Sequence, residues 1–450
     1  MSRRRRTRTG DRWPTGGARV GADDAGNGAK RGNGRATHAN GKRTGANGKA
    51  ASEPRLLIYS QDGLGLGHLR RTSAIASEFL RARPGACVLT ISDSPLGRFF
   101  ELAPRQDYLK LPSLVKSAPG VWDPLSLPIP TDEIVALRRS LIMCAATSFR
   151  PDILLVDHMP HGAQGELLPT LATLGKAGTK LVLGLRDILD APQVVRRRWR
   201  AEGAYSAVED HYDLALVYGT RAVFDVARQY AWPAPAADVL EYCGYVCASL
   251  DDHRSKPVRV KVLPGDGRLL LAMAGGGADA YPLMRALLDG FERVRTTEPC
   301  ALIIITGPFM PVAQRRDLEM RAQGLPVKVR TTVKDMPSYI AAADVVVSMA
   351  GYNTTAEVLR MGKPAVLVPR VGPSAEQRMR ARLFAERGWV QLVDPDELTP
   401  ATIAEAVLHA LAPPPATTDA PDLGGLDVAV GHLVSLLEGS KRPRSALLGV

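Results

Sequence analysis

From residue 55 onwards, short apolar runs alternate with longer stretches of helical periodicity, and this alternation limits the possible folds more than any other feature. Continuous apolar runs are typical of parallel strands that are covered by helices on both faces. Repeated strand-then-helix units predict a parallel, right-handed α/β sheet. The alternation stops around residues 251–267, where the chain becomes polar, and then begins again.

The two series of apolar runs predict two sheets. The first should contain strands near 55–60, 86–91, 152–157, 180–185, 214–218 and 241–245, and the second near 269–274, 301–306, 327–330, 344–348, 365–369 and 390–393. We predict an α/β protein of two Rossmann-like domains that face each other across a cleft, with ligands bound beyond the carboxyl ends of the strands. The predicted segments are a tail at 1–50, a first domain at 51–247, a linker at 248–266, a second domain at 267–412, and a Pro-rich segment with a C-terminal helix and tail at 413–450.

The basic residues are concentrated at the N-terminus. Residues 1–50 contain 13 Lys or Arg and 3 Asp or Glu, a charge of +10 out of a net +12 for the 450-residue chain. The segment has too few large apolar residues to offset the entropy lost on folding. We predict a disordered, solubilising tail; a weak attraction to anionic lipid or nucleic acid is the alternative.

Composition argues against several classes of protein. The five cysteines form no CxxC pair, so neither a zinc site nor a disulfide framework is indicated. Aromatic residues make up only 5% of the chain, which does not suggest a stacking platform for nucleic acid. No apolar export segment follows the arginines at 3–6, and no run approaches the ~20 apolar residues of a membrane-spanning helix. We expect a cytoplasmic protein with no cofactor, no metal and no specific nucleic-acid partner.

A glycine-rich turn follows the first predicted strand. It reads QDGLGLGH at residues 61–68, and Gly65 and Gly67 allow the backbone to approach a ligand closely. His68 stands where a dinucleotide fingerprint needs its third glycine, so an NAD site is not favoured. A histidine at such a turn suits general-base catalysis, and capping of the following helix is the alternative.

A second glycine-rich turn, AGGGAD at residues 274–279, follows the first strand of the second series. Gly275, Gly276 and Gly277 would form a phosphate cradle before a helix. The turn lacks the Gly-Lys-Ser/Thr of an ATP-hydrolysing P-loop. A tight connection between strand and helix explains the glycines equally well.

The third motif, SMAGYNTTAE at residues 348–357, also follows a predicted strand. We expect Asn353 to cap the next helix and Glu357 to lie in its first turn. A carboxylate at this position could accept two hydrogen bonds from a ribose diol. Simple compensation of the helix dipole is the alternative.

Taken in order, these motifs resemble a known family. Residues 269–411 resemble the C-terminal domain of glycosyltransferase family 28, including the enzymes that transfer N-acetylglucosamine from UDP to a lipid-linked peptidoglycan intermediate. The glycine-rich turn that ends in His68 is similar to the N-terminal loop of those enzymes. The segments VDHMP at 156–160 and GLRDILD at 184–190 resemble a group of bacterial proteins predicted to be glycosyltransferases. Together the resemblances cover roughly residues 55–411.

The resemblance implies a GT-B type fold and a role for each motif. His68 would be the candidate base in the cleft. The donor would contact Gly275, Gly276, Gly277, Val333, Gly351, Asn353, Thr354, Glu357 and Gln377. Of these, the glycines would approach the diphosphate, Val333 the nucleobase, Glu357 the ribose and Gln377 the sugar. Because residues 376–377 read Glu-Gln where the family often has two glutamines, the donor sugar is left open.

Polar residues beyond two further strands of the first series are predicted to face the cleft. Asp157 and His158, with His161 nearby, follow one strand, and Arg186 and Asp187 follow another. We predict that Asp187 is a second candidate catalytic residue. The predicted acceptor-side residues are Gly65, Gly67, Asp157, His158 and Arg186. Capping of the following helices is the alternative.

Two other patterns favour plain structural interpretations. Asp394 and Asp396 match a DxD metal motif, but they precede a helix that Asp396 or Thr399 could cap. The arginine-rich stretch at 196–200 is typical of a solvated helix face, with contact to an anionic acceptor or a membrane surface as the alternative.

We therefore expect a glycosyltransferase that moves a hexose or N-acetylhexosamine from a nucleotide sugar, UDP-linked by resemblance, to an acceptor that the sequence does not identify. The resemblance implies inversion at the anomeric carbon without a metal. A lipid-linked acceptor and peripheral contact with the inner face of the membrane are compatible with it. The alternatives are a nucleotide-sugar 2-epimerase and a non-catalytic nucleotide-sugar-binding protein.

Overall fold

The computed structural model describes residues 53–61, 67–95, 102–118, 121–247, 267–412 and 420–439. The predicted tail at 1–50, Gly65 and the predicted linker at 248–266 lie outside these residues.

The first domain is built on a parallel sheet of seven strands. Its strands and the neighbouring hairpin are β1 (Arg55–Ser60), β2 (Cys87–Ser92), β3 (Gln106–Lys110), β4 (Leu114–Ala118), β5 (Val121–Pro124), β6 (Ile153–Asp157), β7 (Lys180–Arg186), β8 (Leu214–Tyr218) and β9 (Leu240–Tyr242). The sheet order is β3-β2-β1-β6-β7-β8-β9, with β4 and β5 paired separately as an antiparallel hairpin. The helices are α1 (Gly67–Ala82), α2 (Thr131–Phe149), α3 (Leu168–Lys176), α4 (Pro192–Ala201), α5 (Ala204–His211), α6 (Val226–Gln229) and α7 (Ala234–Ala237).

Both faces of this sheet are buried, which explains its continuous apolar runs. In β1, Leu56 and Ile58 pack with Phe79 of α1 on one face. Leu57 packs on the opposite face with Ile142 of α2. Because successive side chains of a strand point to opposite faces, a strand buried on both sides has no polar alternation.

The second domain contains a parallel sheet of six strands. They are β10 (Arg268–Met273), β11 (Cys300–Ile305), β12 (Val327–Arg330), β13 (Val345–Ser348), β14 (Ala365–Leu367) and β15 (Gln391–Leu392), in the order β12-β11-β10-β13-β14-β15. The helices are α8 (Tyr281–Thr297), α9 (Val312–Arg321), α10 (Met336–Ala342), α11 (Tyr352–Arg360), α12 (Glu376–Glu386) and α13 (Pro400–Leu411). The two sheets confirm the predicted pair of Rossmann-like domains, whereas the exact domain boundaries remain predictions.

The last described helix, α14 (Gly425–Leu437), returns to the first domain and packs on α1. Its buried residues Leu426, Ala429 and Leu433 belong to the same apolar cluster as Phe79. Just before the helix, the Asp422 carbonyl accepts a 2.7 Å hydrogen bond from the Tyr245 amide. The predicted C-terminal apolar segment is therefore the helix that covers part of the first domain.

Candidate active site

The two domains meet where α1 of the first contacts α11 of the second. Asn353 Nδ2 donates a hydrogen bond to the Gly67 carbonyl at 2.8 Å. About one turn further along both helices, Arg70 Nη2 lies 2.8 Å from Glu357 Oε2. Each helix begins just beyond the carboxyl end of a strand, so the predicted acceptor and donor motifs face each other here.

His68 and Asp157 form a close pair on the first-domain side of this contact. His68 is the second residue of α1 and its side chain is 18% exposed, whereas Asp157 ends β6 and is fully buried. His68 Nδ1 lies 2.6 Å from Asp157 Oδ2. An ionised carboxylate only accepts hydrogen bonds, and it lies nearer to Nδ1 than the Arg71 Nη2 donor at 3.0 Å does. We therefore assign the proton to Nδ1, which leaves Nε2 as the basic nitrogen. The sequence predicted Asp157 as an acceptor-side residue and did not predict that it orients His68.

Arg71 keeps Asp157 ionised. Its Nη2 lies 2.9 and 2.7 Å from the two carboxylate oxygens and 3.0 Å from His68 Nδ1. Burial acts to raise the pKa of Asp157, but the charge of Arg71 and the contact with His68 outweigh it, and the pKa is lowered. Sequence reasoning missed Arg71; its spacing of three residues from His68, which puts both on one helix face, was the available signal.

His158 has a strained backbone beside His68. Its φ is +81°, a conformation that residues other than glycine seldom adopt. The two imidazole rings are 5.0 Å apart between centroids. Burial, followed by the charges of Arg186 and His68, holds the pKa of His158 well below its usual range, so this ring is neutral near pH 7. Strain of this kind clusters at functional sites, which supports the predicted acceptor-side position.

His161 lies in the loop that follows His158 and is buried. Its Nε2 is 3.9 Å from Glu202 Oε2. Its pKa is lowered, chiefly by burial. These contacts are with first-domain residues and give His161 no direct link to the second domain.

Asp187 joins the two domains. Its two carboxylate oxygens accept hydrogen bonds of 2.8 and 2.7 Å from Arg380 Nε and Nη2, and both side chains are buried. A carboxylate held in this way by a guanidinium is poorly suited to accept a proton. The predicted catalytic role of Asp187 is therefore not favoured, and the geometry gives it a structural role between the domains.

Arg186 and Glu376 form a second link beside the first. Arg186 Nη1 lies 3.1 Å from Glu376 Oε2, which also accepts from Arg380 Nη2 at 3.0 Å. Burial acts to raise the pKa of Glu376, but Arg186 and Arg380 outweigh it, and the pKa is lowered. Arg186, predicted on the acceptor side, thus contacts the second domain directly. Arg380 was missed, although its spacing of four residues from Glu376 placed the two on one face of α12.

Tyr352 lies between these two buried networks. The Arg71 guanidinium carbon is 5.4 Å from the centre of the Tyr352 ring, and that of Arg380 is 5.6 Å from it. The Tyr352 hydroxyl accepts a 2.8 Å hydrogen bond from the Val246 amide. The first residue of α11 is therefore in contact with the networks around both Asp157 and Asp187.

The glycine turn of the second domain is tightly built at one end and open at the other. Gly277 has a φ of +86°, and a Cβ there would lie 1.9 Å from the Thr306 carbonyl oxygen. A Cβ on Gly276 would lie 2.9 Å from the Phe309 ring, whereas one on Gly275 would meet nothing within 4 Å. Gly277 is thus required by the fold, and Gly275 is the exposed position that could admit a ligand.

Two details of the third motif differ from expectation. The N-cap of α11 is Gly351, with φ −68° and ψ 140°, and Asn353 uses its side chain to reach Gly67 instead of capping. Glu357 is the sixth residue of α11 and lies in its second turn, so the prediction of a first-turn carboxylate was wrong. This weakens the alternative that Glu357 only compensates the helix dipole, since that effect is confined to the first turn.

The remaining predicted donor residues lie in the same region of the second sheet. Val333 is half-buried in the connection from β12 to α10, and Thr354 is buried in α11. Gln377 is buried in the first turn of α12, where its Oε1 accepts from the Arg370 amide at 3.3 Å. These residues follow carboxyl ends of strands, as ligand-binding residues of such sheets do, and their donor contacts remain predictions.

The DxD and arginine-rich segments have structural roles in the described chain. Asp394 caps a 3-10 turn at Pro395–Glu397, Thr399 caps α13, and Arg378 Nη2 lies 3.5 and 3.1 Å from the Asp394 and Asp396 carboxylates. Helix α4 buries Trp199 and leaves Arg197 exposed, as expected of a solvated helix face. Within the described ranges, no three His, Cys, Asp or Glu side chains are grouped to hold a metal, and no helix has the length and apolarity to cross a membrane.

Comparison with known sequences finds a family match for the second domain. Residues 270–422 match the profile of the glycosyltransferase family 28 C-terminal domain. Over 152 residues the chain is 36% identical to a Mycobacterium tuberculosis UDP-N-acetylglucosamine–N-acetylmuramyl-(pentapeptide) pyrophosphoryl-undecaprenol N-acetylglucosamine transferase. The aligned residues are 34% of this chain and 36% of that protein. The chain thus spans only 36% to 40% of the length of these curated relatives.

Comparison with solved structures supports the GT-B type fold over the whole described chain. A Listeria monocytogenes protein assigned as a candidate UDP-N-acetylglucosamine 2-epimerase aligns with a TM-score of 0.61 at 13% identity, covering 88% of this chain and all of that one. Acinetobacter baumannii MurG aligns with a TM-score of 0.52 at 14% identity, covering 86% and 99%. At these identities the likeness establishes the fold alone.

Proposed function

We propose that this chain, whose second domain is of the glycosyltransferase family 28 C-terminal type, is a glycosyltransferase that uses a nucleotide sugar, with UDP as the nucleotide. One observation carries the proposal. His68, the candidate general base, is oriented by Asp157 and lies directly across from the family-matched motif that contains Asn353 and Glu357. The transferred group is a hexose or an N-acetylhexosamine.

On the acceptor side, His68 is the general base. Asp157 holds the proton on Nδ1, so Nε2 takes the proton of the acceptor hydroxyl as its oxygen attacks the anomeric carbon. Asp157 remains ionised through Arg71 and stabilises the imidazolium that forms. The new oxygen–carbon bond forms as the bond from that carbon to the diphosphate oxygen breaks, which inverts the anomeric configuration.

On the donor side, the second domain holds the nucleotide and receives the developing charge. The exposed turn at Gly275 and Gly276 lies near the diphosphate, and Glu357 accepts hydrogen bonds from the ribose diol. Val333 lies near the nucleobase, and Gln377 and Thr354 near the sugar and diphosphate. Backbone N–H groups and the N-termini of helices stabilise the departing diphosphate, so the reaction proceeds without a metal.

The acceptor is proposed to be a lipid-linked glycan intermediate, by analogy with the pyrophosphoryl-undecaprenol acceptor named for the relatives. In that case the enzyme works in the cytoplasm at the inner face of the membrane. Neutral His158, next to His68, is suited to bind a hydroxyl of this acceptor.

The test is a panel of UDP-, GDP- and dTDP-sugars, with release of nucleoside diphosphate measured with and without a lipid extract of bacterial membranes. Acceptor-dependent release of UDP from a UDP-sugar is expected. Uridine nucleotides should also bind better than adenine nucleotides in calorimetry. No binding of any uridine nucleotide by the folded protein would overturn the proposal.

A 2-epimerase is the second candidate, because solved structures with this fold include proteins of that description. It needs no separate acceptor. Conversion of a free UDP-sugar to its C2 epimer, abolished by His68→Ala, would replace transfer with epimerisation as the reaction. Incubation without extract, followed by NMR of the sugar, distinguishes the two.

A further inference from the structure

Glu357 is the residue to which the proposed function assigns the ribose, yet its carboxylate is in contact with the opposite domain. Arg70 Nη2 lies 2.8 Å from Glu357 Oε2. The Glu357 side chain is 8% exposed and that of Arg70 is 34% exposed. The partly exposed cation of the first domain therefore lies against a carboxylate of the second domain that is almost wholly buried.

A guanidinium and a ribose diol bind a carboxylate in the same way. Each presents hydrogen-bond donors side by side, and a carboxylate offers only acceptors. The Glu357 carboxylate is only 8% exposed and Arg70 lies against its Oε2, so a ribose diol has to approach through the space that Arg70 occupies. We therefore expect the nucleotide and Arg70 to compete for Glu357.

The neighbouring contact repeats this arrangement on the same helix face. Asn353 and Glu357 are four residues apart in α11, so their side chains point to the same side. Asn353 Nδ2 bonds to the Gly67 carbonyl, and Gly67 begins the helix that carries Arg70. The first turn of α1 thus covers the face of α11 that carries two of the proposed donor residues.

We propose that Arg70 is a gating residue of the donor site, which holds α1 against α11 through Glu357 and is displaced by the ribose diol of the incoming nucleotide. This inference rests on the proposed function, because it takes Glu357 as the ribose ligand. Nucleotide binding then releases Arg70 from Glu357 and frees the carboxylate for the ribose. The buried Arg71–Tyr352 and Arg380–Asp187 contacts keep the two domains together.

The gate predicts that removing Arg70 strengthens nucleotide binding. Removing a cation from a site for an anionic nucleotide ordinarily weakens binding. If Arg70 competes with the diol, its removal instead abolishes the state in which Glu357 is paired with Arg70 and cannot bind the ribose. The apparent affinity for the nucleotide then rises, because a larger fraction of the protein is competent to bind. Because Arg70 is partly exposed, we expect about a three- to tenfold gain.

The experiment measures the Kd of UDP by calorimetry for the full chain and for Arg70→Ala, Glu357→Ala and the double variant. Arg70→Ala should bind UDP about three- to tenfold more tightly than the wild type. In the Glu357→Ala background, Arg70→Ala should cause no further gain, since the gate has already lost its partner. Arg81→Ala is the matched control, because Arg81 is on the same helix and pairs locally with Glu78; its Kd should equal that of the wild type.

The outcomes separate the gate from the proposed function. Weaker UDP binding by Arg70→Ala would make Arg70 a ligand of the donor and overturn the gate. An unchanged Kd for Arg70→Ala, together with a weaker Kd for Glu357→Ala, would also overturn the gate and would leave the donor site intact. If the folded wild type binds no UDP, the proposed function fails, and the gate with it.

Discussion

Arg380 and Asp187 are joined across the domain boundary by two hydrogen bonds, of 2.8 and 2.7 Å, between buried side chains. The Arg380 guanidinium also donates to the Ala350 carbonyl at 2.9 Å. Ala350 directly precedes Gly351, the N-cap of α11. The pair that joins the domains therefore also fixes the start of the proposed donor site.

Replacing Arg380 by Met should destabilise the protein by about 3–5 kcal/mol, because the buried Asp187 carboxylate would lose its cation. Urea unfolding measures the loss. Arg378→Met is the matched control on the same helix. Arg378 is itself partly exposed and pairs with half-buried Asp394 and exposed Asp396, so its replacement should cost less than about 1 kcal/mol. Equal losses for the two variants would contradict the structural role of Asp187.

His68→Ala should slow turnover by about 10²–10⁴-fold while the Kd of UDP stays close to that of the wild type. The proposed base is on the first domain, whereas the proposed donor contacts are on the second. Steady-state kinetics and calorimetry on the same preparation separate the two effects. A variant with normal turnover per folded molecule but a lower melting temperature would make His68 a structural residue.

Gly277→Ala should prevent correct folding of the second domain, because its φ is +86° and the new Cβ would lie 1.9 Å from a carbonyl oxygen. Gly275→Ala is expected to fold normally, since its Cβ would meet nothing within 4 Å. Melting curves test folding, and calorimetry of UDP binding follows. If the diphosphate approaches Gly275, the Gly275→Ala variant should keep its stability and lose affinity; unchanged affinity would exclude that approach.

The lowered pKa of Glu376 should make the domain contact sensitive to acid. Its pKa is below the ordinary value of 4.5 in the folded protein, so near that pH the unfolded chain binds more protons. The stabilisation is present above pH 4.5 and is lost as the pH falls through the lowered pKa. The free energy of unfolding, compared at pH 7 and below pH 4.5, should fall more for the wild type than for Glu376→Gln. Glu405→Gln, at an exposed carboxylate, serves as the control. If the free energy of unfolding falls as much in Glu376→Gln as in the wild type, Glu376 is not the source of the acid sensitivity.

Transfer should survive EDTA. Asp394 and Asp396 form the DxD motif of the sequence, and Arg378 contacts both carboxylates. Activity is measured after chelation and again with added magnesium or manganese. Loss on chelation with recovery on adding metal would return these two aspartates to the site.

The sequence was most informative where burial alone determines structure. All twelve predicted strands are present, and the inner ones, such as β1, β6 and β10, are apolar runs covered by helices on both faces. Strand β3 was not predicted, since Gln106–Lys110 is a polar strand at the sheet edge and has no apolar run to reveal it. The hairpin β4–β5 was missed for a similar reason.

The candidate site was predictable in its components and not in its pairings. Glycine turns and strand-end polar residues mark the cleft, because the fold class determines where ligands bind. Nothing in the local pattern indicates that Asp157 orients His68 across 89 residues, or that Arg380 pairs with Asp187 across 193. The first pairing depends on how α1 packs beside β6 within one domain, and the second on how the two domains dock; no local spacing encodes either.

The position of α14 has a consequence for how the polypeptide matures. The helix that completes the apolar layer over α1 comes after the whole second domain in the chain, so that domain is in effect inserted into the first. Domains generally fold as units as they leave the ribosome, the N-terminal one first. Here the order is reversed at the last step, because the first domain to be synthesised is completed only when residues 425–437 emerge. Until then, the apolar residues of α1 that pack against α14 lack this cover.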